Sequence, residues 1–105
     1  MAGPDLALRR KFRKNVEEKL ELVAHNNRGV VVSWTVSKSY NRITVVCGEG
    51  QFSERVIVHL ATSLSRLLGV GRGMGLVDSA VKSFTLECFV PSSEEPIFVR
   101  DYGVE

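Results

Sequence analysis

A chain of 105 residues with 44% hydrophobic content and a mean hydropathy of +0.02 is long enough to bury a core as one globular domain, expected over 1–105, and its periodic aliphatic clusters exclude wholesale disorder. Fourteen Lys and Arg against twelve Asp and Glu leave a net charge of +2, which permits an anionic partner without demanding one, so the placement of the charges carries more than their sum. Cys47 and Cys88 lie far apart with neither zinc nor C-x-x-C spacing, which predicts buried free thiols, no metal and no cofactor.

No apolar run approaches the ~20 residues of a membrane helix, and no apolar core of a secretory signal follows the N-terminus. The expectation is a soluble, intracellular protein, cytoplasmic or nuclear. The Arg/Lys-rich stretch from Leu6 to Lys14 resembles a mitochondrial presequence, although the acids Asp5, Glu17, Glu18 and Glu21 favour a mature helix.

After Pro4-Asp5, Phe12, Val16, Leu20, Val23 and Ala24 recur at helical spacing, predicting a helix that ends near Asn26-Asn27-Arg28-Gly29. The period then changes to two. Val30, Val32, Trp34 and Val36 share one face of a predicted strand, a turn follows at residues 37–41, and Ile43, Val45 and Cys47 alternate in a second strand, giving a hairpin. Gly48-Glu49-Gly50 breaks it, and Ser53 is placed to cap a second helix whose apolar face is Val56, Ile57, Leu60, Ala61, Leu64, Leu67 and Leu68.

Gly69, Gly71, Gly73 and Gly75 alternate behind those leucines around Arg72, and the spacing predicts that they end the helix, either as a simple stop or as a basic loop approached by a ligand. Residues 76–82 read as a short helical turn. Phe84, Leu86, Cys88 and Val90 then alternate as a third strand closed by Pro91, and residues 91–105 read as an edge strand or an extended C-terminal arm. The order predicts a two-layer α+β sandwich, with two amphipathic helices on one face of a mainly antiparallel sheet of three or four strands.

The glycine segment fits no nucleotide motif: it follows a helix, Met74 stands where a dinucleotide fingerprint needs its last Gly, and no Gly-Lys-Ser/Thr closes it. Helix, hairpin, helix, strand is similar to the topology of type II KH domains over roughly residues 5 to 90, which implies RNA binding. The KH Gly-x-x-Gly is absent, since Arg72 lies three residues after Gly69 and Met74 three after Gly71. The same order resembles the BolA family.

On the second helix Arg55, His59, Thr62 and Arg66 follow at steps of four, three and four, forming one polar stripe with Arg72 beyond it. Arg9, Arg10, Lys11, Arg13 and Lys14 are the densest charge run, and their place near a helix N-terminus opposes the macrodipole. Both sets suit phosphates, and each also suits a solvated helix face. Trp34, Tyr40 and Phe89 are candidates for base stacking, with Trp34 better suited to the core.

His25, His59, Glu49 and Asp78 lack partners in sequence that would make a nucleophile and base. The resulting expectation is a small noncatalytic domain that binds RNA or another single-stranded nucleic acid. The alternative is a noncatalytic protein-interaction subunit docking through a sheet edge, the tail or the first helix.

Overall fold

The computed structural model describes residues 6–105, so the start signal at Pro4-Asp5 lies outside the described residues. Six elements follow in the order α1 (Leu6–Asn26), β1 (Ser33–Val36), β2 (Arg42–Val46), α2 (Glu54–Gly73), β3 (Ser83–Phe89) and β4 (Phe98–Gly103). They build an α+β fold in which the two helices pack against a four-stranded sheet of order β1-β2-β3-β4.

The sheet is mixed. Its outer pairs are antiparallel, but β2 and β3 run parallel with Ile43 opposite Leu86 and Val45 opposite Cys88. The reason lies in the connection: a helix that crosses over the sheet returns the chain to the end from which the previous strand began.

Alternation along the strands divides the sheet cleanly. Ile43 and Val45 of β2, Cys47 just beyond it, and Phe84, Leu86 and Cys88 of the neighbouring β3 are buried beneath the helices. α1 contributes Phe12, Val16, Leu20 and Val23, and α2 contributes Ile57, Leu60, Ala61, Leu64 and Leu68. The opposite face carries polar pairs: Arg42 meets Glu87 at 3.0 Å, and Thr85 Oγ1 donates to Asp101 Oδ1 at 2.6 Å.

The first strand begins later than its sequence predicts. Gly29 adopts a φ of +89° and Val30 N donates to Asn27 O, so a turn carries the chain off α1 and the period of two starts only at Ser33. Val31 is consequently buried while Val32 stands 60% exposed, the reverse of the expected phase. Trp34 and Val36 keep the expected face, opposite Val45 and Ile43.

Ser53 caps α2 as expected, its hydroxyl accepting from Val56 N at 3.4 Å. The other end differs. Helix continues through Gly69 and Gly71 to Gly73, with Met74 as C-cap and the positive φ of +76° deferred to Gly75. These glycines give close approach: a Cβ on Gly71 would stand 2.6 Å from Phe12 Cε1, and one on Gly69 would stand 2.8 Å from the Glu105 carbonyl carbon.

Residues 76–82 form an irregular turn in place of the expected helix. Leu76 and Val77 turn into the core, and Asp78 Oδ1 accepts from Ala80 N at 2.9 Å. The tail forms an edge strand, β4, and its end is tied to α2: Ser65 Oγ donates to Gly103 O at 2.5 Å, and Glu105 N donates to Ser65 O at 3.2 Å. Among the described residues no helix is long and apolar enough to cross a membrane.

Candidate nucleic-acid interface

The leucine face of α2 fixes the opposite face in solvent, and Arg55, His59, Thr62 and Arg66 are all exposed there. Eleven residues separate the first from the last, which at the helical rise gives a line about 16 Å long. Arg55 and His59, with Asn27 and Val56, line a shallow groove of about 230 Å³ where α2 begins beside the end of α1. Among the described residues neither side chain has a hydrogen-bond or ion-pair partner. Arg66 has one, the Glu105 carboxylate at 3.4 Å, but both groups remain well solvated and the pair is correspondingly weak.

The basic run of α1 divides by direction. Arg10, Lys11 and Lys14 are exposed, and Arg9 has an interaction of its own. Arg13 turns to the sheet edge instead, donating to Ser37 O at 2.9 Å and to Val36 O at 2.5 Å, with its guanidinium 5.1 Å from the Tyr40 ring centroid. That arrangement fixes the end of β1 and the turn that follows it, and engages the arginine structurally.

Arg72 is also engaged. Its Nη1 donates to Val81 O at 3.0 Å, which holds the turn between α2 and β3. The glycine segment around it is helical up to Gly73, so it does not form the basic loop considered from sequence. Sequence alone does not separate these two arginines from Arg55 and Arg66, because their acceptors are backbone carbonyls distant in the chain.

Tyr40 is buried, with a φ of +65° and its ring edge-on to Phe12, and does not offer a stacking surface. Phe89 is half-buried on the outer face of the sheet. A polar concavity of about 440 Å³ between residues 39–41 and 78–85 contains one carboxylate, Asp78, already bonded to the Ala80 amide.

Both cysteines are free and buried against one another beneath the helices. Burial raises the Cys47 thiol, and pushes Cys88 up to about 12 with help from the neighbouring sulfur. Such thiols are poor nucleophiles because the reactive thiolate is suppressed. Among the described residues no group of three His, Cys, Asp or Glu side chains is placed to hold a metal ion.

A further feature was not legible as a site in the sequence. The antiparallel helices leave a groove of about 240 Å³ between them, lined by Leu8, Lys11, Asn15, Leu67, Val70 and Met74 over the Phe12 and Leu76 side chains. Its only sequence signal was that Val70 and Met74 fall outside the buried leucine face of α2. No family model, curated protein or solved structure matches the chain.

Proposed function

We propose that the protein is a noncatalytic nucleic-acid-binding domain, for RNA or another flexible single strand, that uses the exposed face of α2. The observation that carries this reading is the solvent-facing line Arg55-His59-Thr62-Arg66. Two guanidiniums at its ends supply charge-assisted bonds to phosphate oxygens, and the imidazole and hydroxyl between them add hydrogen-bonding groups. The exposed cations of α1, Arg10, Lys11 and Lys14, extend the positive surface. The helix-hairpin-helix-strand order, with its parallel β2-β3 pair, is compatible with the KH-like reading, although the clamp-forming Gly-x-x-Gly is missing.

Fluorescence anisotropy with single-stranded RNA and DNA over a range of salt concentrations tests this. For a single strand each phosphate contact contributes about 0.7 to the slope of log K against log salt, so replacing Arg55 and Arg66 by Gln is expected to lower the slope by about 1.4 and weaken binding. An unchanged slope in a folded variant excludes the stripe as the interface.

A further inference from the structure

The groove between α1 and α2 combines two properties, an apolar floor and a basic rim. Its surface is aliphatic and exposed, with Val70 59%, Met74 50% and Leu8 38% accessible. Its polar rim is positive: Lys11 stands at one end, and the groove continues past Leu67 and Val70 to Lys19 at the other, beside Arg66, whose charge is shared with the solvated Glu105 carboxylate. Among the described residues no Asp or Glu lines either part.

We propose that this groove docks an acidic amphipathic helix of a partner protein. Parallel rows of side chains from two antiparallel helices make a trough into which a third helix can lay one apolar face. The stretch from Leu8 to Lys19 is about 16 Å long at the helical rise, room for the three turns that present apolar residues at i, i+3, i+4 and i+7. Carboxylates on the flanks of that helix then face Lys11 and Lys19, and reach Arg66 in exchange for its solvated pair with Glu105. Met74 and the aliphatic walls adapt to varied apolar side chains. A nucleobase is served less well, because among the described residues the one aromatic ring lining the groove, Phe12, is buried at its floor and offers no stacking face.

The test is an NMR titration of the full chain with a synthetic peptide of about four helical turns, Leu on one face and Glu on the other. Two controls accompany it, the same residues in scrambled order and a version with Lys in place of Glu. Saturable shifts are expected at Lys11, Asn15, Val70 and Met74 with the Glu peptide alone. V70E combined with M74E, both at exposed positions, is expected to weaken binding by about tenfold or more with an unchanged circular dichroism spectrum.

Charge reversal at K11E and K19E is expected to transfer preference to the Lys peptide, while Arg55→Gln leaves peptide affinity unchanged. Equal binding of the scrambled peptide, or shifts confined to other surfaces, overturns the proposal. So does a response of these residues to single-stranded RNA but not to the peptide, an outcome that would leave the nucleic-acid reading standing.

Discussion

The Phe12 ring occupies the space that a side chain at Gly71 would need, so α1 rests directly on the backbone of α2. A Cβ there would stand 2.6 Å from Phe12 Cε1 and closer still to Cζ. A glycine inside a helix costs about 1 kcal/mol relative to alanine. Here that cost is offset by seating an aromatic ring that is 5% exposed and edge-on to Tyr40.

Opposite effects are therefore expected from alanine at neighbouring glycines. Gly71→Ala forces Phe12 to move and is expected to destabilise by about 1–3 kcal/mol, the usual range for overpacking. Gly73 has open space around its missing Cβ, so Gly73→Ala is expected to stabilise by roughly 0.5–1 kcal/mol through helix propensity. Urea denaturation measures both, and Phe12→Leu in the Gly71→Ala background is expected to recover part of the loss. Shifts of the same sign for both alanines would contradict the packing account.

The second prediction concerns the layer between helix and sheet. Leu60 and Leu64 are fully buried, and replacing either with alanine removes apolar contacts and leaves a cavity. Each is expected to cost about 2–5 kcal/mol in chemical denaturation. Changes below about half a kcal/mol belong to surface positions and would place the apolar face of α2 elsewhere.

Sequence periodicity located most of this architecture because burial imposes it: the α2 leucines, the Phe84-Leu86-Cys88 alternation and the Ser53 cap all occupy their expected places. It failed where long-range contact overrides local preference. Val31 is buried in the core and Val32 is exposed because a turn delays β1, while Val30 stays packed at the core's margin. The glycines at 69 and 71 stay helical because Glu105 and Phe12 fill the space they leave, and neither contact has a signature near the glycines. The parallel pairing of β2 and β3 follows from the α2 crossover, a consequence of connectivity that strand composition does not reveal. The shared exposed face of Arg55, His59 and Arg66 is legible from spacing, whereas the commitments of Arg13 and Arg72 to distant carbonyls are not.

The buried thiols make a prediction about pH. With burial pushing Cys88 up to about 12 from its ordinary value of 9.0, the unfolded chain releases its proton first as pH rises. Stability from this group is thus fully present below pH 9 and is lost progressively between pH 9 and about 12. Cys88→Ala is expected to flatten that alkaline loss relative to the parent. Native-state thiol labelling at pH 8 is expected to be very slow and to become rapid in denaturant, and fast native labelling would contradict the burial of both sulfurs.

The last prediction separates arginines that hold the fold from those assigned to the ligand. Arg13→Gln loses its bonds to the Val36 and Ser37 carbonyls at the end of β1 and the contact over Tyr40, and is expected to destabilise by about 1–3 kcal/mol. Arg72→Gln loses its bond to Val81 O and is expected to cost about 1 kcal/mol. Neither is expected to change the salt slope of nucleic-acid binding while the domain remains folded. Arg55→Gln and Arg66→Gln are expected to do the reverse: stability stays within about half a kcal/mol, because Arg55 is exposed and the Arg66–Glu105 pair is solvated, while affinity and slope fall. If all four variants weaken binding in proportion to their loss of stability, unfolding accounts for the effect and α2 carries no specific interface.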